Sequence, residues 1–208
     1  MDIAIIGAGR VGSTLGRRLA EAGHTVHYAR RDPSAPLPDR LAHDGATTGA
    51  TPDVVARSEV VLLATPWNAA EAALSAVDDF GGRPLLDATN PIGPGFRLTH
   101  GHDDSGAEQV QRWAPTARVV KVFNTTGMEN MAEPAYPGGR ALMLACSDDD
   151  DARQTALALA GDIGFDAHGY GPLANARDLE PMAMVWIKLA MVLGMGRGFA
   201  LGVLRRDG

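Results

Sequence analysis

The chain is poor in cysteine and has no excess of positive charge. Cys146 is the single cysteine among 208 residues, so no internal disulfide can form and a reducing compartment is expected. Lysine and arginine number 19 against 25 acidic residues, and the net charge of −6 argues against a nucleic-acid partner. The apolar run just after Met1 predicts a strand and no signal peptide. We therefore expect a cytoplasmic protein that binds no nucleic acid.

One long apolar stretch, residues 181–204, is interrupted by charge. Lys188 and Arg197 lie within it, and each charge near the centre of a bilayer costs about 2.5 to 3.5 kcal/mol. The stretch is therefore expected to be a buried helix, or one that packs against a second subunit, and we expect no membrane partner.

Residues 2–23 have the pattern of a strand, a tight turn and a helix. Residues 2–6 form a short apolar run rich in β-branched side chains, as in a buried parallel strand. Gly7, Gly9 and Gly12 then give the spacing G-x-G-x-x-G before a helical segment. The first glycine permits the turn, the second lets a pyrophosphate approach the backbone, and the third lets the helix pack closely. We interpret this as a dinucleotide-binding turn with phosphate at the helix N-terminus.

The residues after the second predicted strand indicate which dinucleotide is bound. An acidic side chain at this place bonds the ribose 2′-hydroxyl of NAD, whereas arginine accommodates the 2′-phosphate of NADP. This chain has Arg30 and Arg31 there, and a guanidinium offers forked donors to phosphate. The pattern favours NADP(H). Asp32 leaves open the alternative of an acid that bonds the ribose of NAD.

Predicted strands and helices alternate along the rest of the chain. This alternation implies parallel crossovers and an α/β fold, a Rossmann-type doubly wound, mostly parallel sheet with a small C-terminal helical portion. Ser147 is the predicted cap of the helix that follows it, and one long helix is predicted from about Asn175 to the C-terminus. We divide the chain into an NADP-binding domain, residues 1–172, and a helical segment, residues 173–208, that provides an acceptor pocket and a dimer contact.

Three loops at the predicted carboxyl ends of strands share a composition of hydroxyl, amide, proline and glycine residues. In an open α/β sheet ligands bind outside these ends. Such loops offer directed hydrogen bonds and close backbone approach without a competing charge, which suits a planar neutral ring and a phosphate. The loops read "TPWN" (65–68), "ATNPIGPG" (88–95) and "FNTTGMENM" (123–131).

The motifs "GAGRVG", "ARR", "TPW", "DATNP" and "VVKVFNTTG", in this order, resemble the NADP-dependent reductases of coenzyme F420, a deazaflavin. The NADPH-binding module of membrane ferric reductases is similar too. The likeness runs from Met1 to about Met128, and "ARDLEPMAMVWIKLA" near the C-terminus is similar in placement and character. The resemblance implies a Rossmann domain, a homodimer, and direct hydride transfer between NADPH and a deazaflavin co-substrate stacked on the nicotinamide.

The resemblance also implies roles for the matching positions. The glycines carry over to the pyrophosphate, the two arginines to the 2′-phosphate, and the loop residues to the nicotinamide. One position departs from the family: Ala29 stands where a serine is common, and one lost hydrogen bond is worth about 0.5 to 1.5 kcal/mol. The predicted cofactor-binding residues are Gly7, Gly9, Arg10, Val11, Gly12, Arg30, Arg31, Thr65, Pro66, Trp67, Asn90, Pro91, Asn124 and Thr125. The predicted acceptor pocket comprises Ile92, Thr126, Gly127, Met128, Met182 and Trp186.

No acid–base pair is evident in these loops. Reduction of a carbonyl or imine usually requires a proton donor, whereas a flavin-like ring can exchange protons with water, so we predict no catalytic acid or base. Two alternatives stay open. Lys188 could do acid–base work in an imine or hydroxyacid reductase, although Val192 replaces the asparagine expected one turn later. The chain could also be an NADP(H)-binding sensor without turnover.

The remaining candidate groups point to ordinary structure. His100 and His102 lie in a loop rich in glycine and aspartate, which is more typical of a solvated turn than of a metal site, so no metal is predicted. The identity of the redox acceptor stays open, because a riboflavin-type acceptor would use the same architecture.

Overall fold

The computed structural model describes residues 1–206 and has the expected α/β architecture. Its strands are β1 (Asp2–Ile6), β2 (Thr25–Ala29), β3 (Thr47–Gly49), β4 (Val60–Leu63), β5 (Pro84–Asp87), β6 (Ile92–Gly93), β7 (Arg97–Leu98), β8 (Arg118–Lys121), β9 (Ala135–Tyr136), β10 (Gly139–Arg140), β11 (Leu142–Ala145) and β12 (Asp166–Gly169). Its α-helices are α1 (Arg10–Glu21), α2 (Thr51–Ala56), α3 (Trp67–Leu74), α4 (Gly106–Trp113), α5 (Met128–Ala132), α6 (Asp150–Asp162) and α7 (Ala176–Ile187).

Six strands form the central sheet in the order β3-β2-β1-β4-β5-β8, and every pair is parallel. This is the doubly wound order that the sequence predicted. The order reverses between β1 and β4, and a crevice for a dinucleotide lies outside the carboxyl ends of strands at such a reversal. The glycine turn after β1 and the loop after β4 therefore meet at one place.

The central strands are apolar on both faces because helices cover both sides of the sheet. Ile3 and Ile5 of β1 belong to one buried cluster, while Ala4 and Ile6 belong to a second cluster on the opposite face. Side chains alternate across a strand, so a continuous apolar run is needed when both faces are buried. That requirement explains why β1, β4, β5 and β8 were readable from the sequence.

Helix α6 begins two residues later than predicted. Asp149, and not Ser147, is its N-cap, and the Asp149 carboxylate accepts a hydrogen bond from the Ala152 backbone N–H at 2.7 Å. The Ser147 hydroxyl instead donates to the Val119 carbonyl oxygen at 2.6 Å. The serine was therefore the wrong cap because a contact with strand β8 engages its hydroxyl.

The prediction of one long C-terminal helix was wrong. Helix α7 ends at Ile187, a wider helical turn follows over Lys188–Val192, and residues 193–206 contain no helix. Gly194 and Gly196 adopt positive φ angles of 77° and 74°, which side chains with a Cβ rarely adopt. The chain beyond them, here called the tail (residues 197–206), returns to the body, where the Leu142 N–H donates to the Leu201 carbonyl oxygen at 2.8 Å.

The remaining differences are short elements. Strand β3, the antiparallel pairs β6–β7 and β9–β10, and helix α5, which begins within the predicted loop 123–131, were not predicted, since two to five residues carry too little periodicity. Within residues 1–206, no helix is both long and apolar enough to cross a bilayer.

Candidate functional site

The glycine turn after β1 is shaped by close contacts. A Cβ at Gly7 would lie 2.6 Å from the backbone of Ala64 and Thr65, and a Cβ at Gly12 would overlap the Gly7 carbonyl oxygen. Gly9, by contrast, faces open space. Gly9 is the N-cap of α1 and caps it without a side-chain hydrogen bond. The first backbone N–H groups of α1 are therefore available to an anion such as a pyrophosphate.

A cavity of about 650 Å³ opens beside this turn, at the carboxyl ends of β1, β2 and β4. It brings together several residues predicted from widely spaced motifs. Its predicted lining residues are Gly7, Gly9, Arg30, Arg31, Thr65 and Pro66. Sequence reasoning missed Arg40 and the small side chains of α3 that complete the wall, Ala69, Ala72 and Ala73. The small residues leave room for a flat ring, as an adenine requires.

The charge at this cavity is mostly positive. Arg30, Arg31 and Arg40 line it together with one acid, Asp32. Asp32 is engaged by Ser34, whose N–H and hydroxyl donate to Asp32 Oδ1 at 3.0 and 2.6 Å. These hydrogen bonds from Ser34 hold the Asp32 pKa below its usual value. The aspartate thus has a role in its own turn, and the arginines favour a ligand with an added phosphate.

The loops predicted to contact the nicotinamide contain buried polar atoms that have no partner within residues 1–206. These atoms are Thr65 Oγ1, after β4, and Asn124 Oδ1 and Glu129 Oε2, after β8. The Asn124 amide nitrogen donates to the Leu179 carbonyl oxygen, which can only accept, so the orientation of the amide is defined. Buried polar groups normally have a partner, and a carboxamide N–H of a bound nicotinamide would satisfy such an acceptor. The residues present therefore fit the dinucleotide.

A hydrogen-bond network ties the two nicotinamide loops to α7. Asn90 Nδ2 donates to the Asn124 carbonyl oxygen at 2.9 Å, and Asn124 Nδ2 donates to Asn90 Oδ1 and to the Leu179 carbonyl oxygen, both at 3.1 Å. Asn124 is 3 % exposed, and Pro91 and Thr125 are also buried. The predicted loop residues therefore do meet, and the first turns of α7 hold them.

A buried ion cluster below these loops was missed by sequence reasoning. Lys121 Nζ lies 2.9 Å from Asp87 Oδ2, 3.0 Å from Glu180 Oε1 and 2.6 Å from the Thr89 carbonyl oxygen, and all three side chains are at most 1 % exposed. Burial opposes the charge on Lys121, but the two carboxylates outweigh it and raise the pKa of this lysine. Asp87 and Lys121 are neighbours on the paired strands β5 and β8. These two charged residues in otherwise apolar strands were the signal from which sequence reasoning could have found the cluster.

The cluster also organises its surroundings. Glu180 accepts hydrogen bonds from the Gly106 and Ala107 N–H groups at 2.9 and 3.0 Å, so it satisfies the start of α4. An ammonium has three N–H donors, and Lys121 has three acceptors around it. Lys121 is therefore placed to hold the loop after β5 and has no donor left for a substrate.

The predicted acceptor pocket is assembled in part. Trp186 packs so closely on Gly127 that a Cβ there would overlap the indole ring. Trp186 also stacks on Phe199 of the tail, with ring centroids 5.5 Å apart, and donates its N–H to the Phe199 carbonyl oxygen. Met128 and Thr126 lie beside Gly127 in the chain, whereas Ile92 lies in β6 and Met182 in α7, all partly exposed.

Three of the predicted cofactor residues, Trp67, Arg10 and Val11, do not line the arginine-rich cavity. Trp67 begins α3 but packs on Trp113 and His100, with ring centroids 5.1 and 5.5 Å apart, and does not line the arginine-rich cavity. Arg10 and Val11 form the first turn of α1, outside the lining of that cavity. Contacts of Arg10 and Val11 with a dinucleotide would therefore come from their backbone groups at the start of α1.

The fold and this crevice together define the class of the protein, an NADP-dependent oxidoreductase with a Rossmann-type sheet. The family model described as NADP oxidoreductase, coenzyme F420-dependent, matches residues 2–91. A solved structure from Arthrobacter sp. FB24, described as a candidate F420-dependent NADP reductase, is 32 % identical, covers 99 % of this chain and 100 % of its own, and has a TM-score of 0.88. The chain belongs to this family of coenzyme F420-dependent NADP oxidoreductases.

Two further relatives mark the limits of the likeness. Metalloreductase STEAP3 of Rattus norvegicus is 28 % identical over 182 residues, which are 88 % of this chain but 36 % of that protein. The chain thus spans well under half of that relative. A reductive aminase from Aspergillus terreus, in complex with NADPH and ethyl levulinate, is 19 % identical with a TM-score of 0.68, covering 93 % of this chain and 62 % of its own. At this identity the likeness shows the fold alone.

Proposed function

We propose that the protein transfers a hydride directly between NADPH and a planar, flavin-like acceptor, and that coenzyme F420 is this acceptor. The family description supports the proposal, and so does the chemistry of the crevice. Thr65, Asn90, Asn124 and Thr125 offer amide and hydroxyl groups, and the buried Trp186 indole packs on Gly127, two residues after Thr125.

The observation that carries the proposal is the state of the titratable groups nearest the nicotinamide loops. Asp87, Lys121 and Glu180 are engaged with one another and with backbone groups. Glu129, in the short helix α5 after β8, accepts a hydrogen bond from Arg197 Nε at 2.7 Å, which holds the pKa of this carboxyl below its usual value. A carbonyl or imine substrate usually needs a positioned proton donor. A flavin-like ring exchanges its protons with water, so the protein needs only to hold two rings in contact. The crevice is suited to the second task.

In this mechanism the chain binds and orients. The start of α1 would hold the pyrophosphate of NADPH, the arginines would hold its 2′-phosphate, and Asn124 Oδ1 would accept a hydrogen bond from its carboxamide. When bound, NADPH supplies the hydride. The Trp186 indole is 2 % exposed and, held by Phe199, it packs on Gly127 and so supports the loop that carries Thr125 and Thr126. Orientation alone can provide several kcal/mol of the barrier, roughly 7 to 11 in well-ordered cases.

Stopped-flow oxidation of NADPH at about 340 nm tests the proposal on purified protein. Oxidised coenzyme F420, FMN and FAD are offered separately, with NADH as the paired cofactor. We expect rapid NADPH oxidation with the deazaflavin and slower oxidation with NADH. Tight NADPH binding without acceleration by the deazaflavin would remove F420 as the acceptor, and turnover with FMN or FAD would assign a riboflavin-type acceptor instead.

An imine or hydroxyacid substrate is the second candidate. Lys188 lines a groove of about 380 Å³ with Phe96, Arg97 and Pro181, so a substrate there would find a cationic group. A cyclic imine and a short hydroxyacid complete the assay. Turnover of either one that is lost in Lys188→Met but not in Arg97→Met would favour this function over the deazaflavin reductase.

We also propose that two copies associate through the end of α7 and the turn after it. Large apolar side chains are exposed there, and these residues form the α7 apolar surface: Val185, Met191, Val192, Leu193 and Met195. Exposed apolar groups gathered on one short segment are typical of a protein interface. A cytoplasmic location stays a prediction from the single cysteine, which is buried.

A further inference from the structure

Arg40 lies in the arginine-rich cavity, although no motif pointed to it. It belongs to a single 3-10 turn, Asp39–Leu41, in the proline-rich segment after β2. Leu41 is fully buried among the core residues under α1, so it anchors this turn. An arginine on an exposed segment is thus held at a defined place beside the glycine turn.

The guanidinium of Arg40 is fixed by one contact. Its Nε donates to the Ala8 carbonyl oxygen of the glycine turn at 3.1 Å. Its two terminal nitrogens carry four further N–H groups, and within residues 1–206 no protein acceptor is assigned to them. The Nε edge of the guanidinium is therefore fixed, while its terminal nitrogens can donate in parallel to an anion such as phosphate.

The neighbouring arginines are used differently. Arg30 donates from Nη1 to the Ala35 carbonyl oxygen at 2.8 Å, so part of its fork holds the segment that leads to Arg40. Arg31 is exposed at the cavity and has no such contact among the described residues. The cavity therefore presents three positive charges and one negative charge, that of Asp32.

We propose that Arg40 binds the 2′-phosphate of NADP(H) together with Arg31 and determines the preference for NADP over NAD. The inference deepens the proposed function, because it rests on the cofactor lying in this cavity. Arg40 provides the donor that Ala29 lacks, and its bond to Ala8 couples the 2′-phosphate site to the pyrophosphate turn. The pyrophosphate itself is served by the start of α1, which leaves the Arg40 fork for the ribose phosphate.

Calorimetric titration of NADPH and NADH, in parallel, tests this role without any acceptor. The variants are Arg40→Met, Arg40→Lys, and Arg17→Met as the matched control. Arg17 is exposed on α1 and does not line the cavity. We expect Arg40→Met to weaken NADPH binding about tenfold and to leave NADH binding within about twofold, since a charge-assisted hydrogen bond is lost. Arg40→Lys should recover part of the NADPH affinity, because it keeps the charge but not the fork.

The other outcomes overturn the inference in distinguishable ways. Equal losses for NADPH and NADH would place Arg40 on the pyrophosphate, and unchanged affinities would show that it does not contact the cofactor. If Arg17→Met weakened NADPH binding by a comparable factor, the loss of a positive charge at long range would explain the effect of Arg40→Met. Wild-type protein that binds neither dinucleotide would remove the cofactor assignment and this inference together, whereas binding without turnover would contradict only the proposed reaction.

Discussion

The three glycines of the first turn serve different physical needs. Gly7 and Gly12 lie where a Cβ would overlap backbone atoms, so they allow β1, β4 and α1 to approach one another. Gly9 has an ordinary φ of −79° and faces open space. A side chain at Gly9 would cost little in the free protein but would occupy the space that the pyrophosphate requires.

Substitution separates these roles. We expect Gly12→Ala to lower the free energy of unfolding by about 1 to 3 kcal/mol, because an inserted methyl group displaces packed backbone. Gly9→Ala should leave stability nearly unchanged and weaken NADPH binding at least tenfold, roughly the loss of one phosphate contact. Urea denaturation and NADPH titration of both variants check the prediction. It fails if Gly9→Ala destabilises the protein as much as Gly12→Ala does.

Phe123 shows strain at the same edge of the sheet. Its φ is 60°, an unusual value for a bulky residue, and the side chain is fully buried against Phe165. Such a conformation costs about 1 to 3 kcal/mol and persists where surrounding packing imposes it. Since Phe123 directly precedes Asn124, its backbone turns the Asn124 amide toward Asn90 and α7.

At the scale of elements, the buried ion cluster joins β5, β8, α4 and α7. Removal of Lys121 leaves two carboxylates buried without their counter-charge. We expect Lys121→Met to lower the free energy of unfolding by about 3 to 5 kcal/mol. Arg112→Met, which breaks the surface pair with Asp104, should cost about 1 kcal/mol or less. The two variants are compared with the wild type by their denaturant midpoints, with an unchanged slope of unfolding free energy against denaturant concentration. A Lys121→Met variant as stable as wild type would contradict a charged cluster.

A second contact between α4 and α7 makes stability depend on pH. Arg177 binds Glu108 with both ends of its fork, at 2.9 and 2.6 Å. Burial tends to raise the pKa of Glu108, but hydrogen bonds from Arg177 and Ser105 outweigh it and hold the pKa below 4.5. A carboxylate with a lowered pKa stabilises the fold above its unfolded pKa, and the stabilisation disappears as pH falls through the folded value.

We therefore expect the free energy of unfolding to decline as pH falls below about 4.5, and Glu108→Gln to reduce that decline. Near pH 7 the variant should be less stable by about 1 kcal/mol. Thermal unfolding across acidic and neutral pH measures the effect. Glu71→Gln, at an exposed glutamate of α3, is the control and should retain the wild-type decline. Identical pH profiles for all three proteins would contradict a role for the Glu108 pair.

At the scale of the whole molecule, the α7 apolar surface should decide the oligomeric state. Leu193 is 70 % exposed, the largest value among the residues of this surface. We expect Leu193→Asp to convert a dimer to a monomer in sedimentation velocity, because a charge at a dry interface is costly. Leu37→Asp, at an exposed leucine of the proline-rich segment, should leave the dimer intact. A wild-type protein that sediments as a monomer at all concentrations would refute the proposed association.

The sequence by itself determined the parts of the protein that depend on local pattern. Apolar runs predicted β1, β4, β5 and β8, because strands covered on both faces are mostly apolar, and the charged residues that end β5 and β8, Asp87 and Lys121, are paired with each other. The glycine spacing predicted the turn after β1, because only glycine tolerates such close backbone contact. The end of β2 has a known place in a doubly wound sheet. The positions of Arg30 and Arg31, directly after β2, therefore indicated the type of cofactor.

Only the tertiary structure decided which distant residues meet. Arg40 contacts the glycine turn because Leu41 is buried, and Lys121 meets Glu180 because α7 packs against α4. The end of α7 was decided likewise, since Trp186 and Leu142 bind the backbone of the returning tail. These contacts depend on strand order and helix packing, and no short stretch of sequence encodes them.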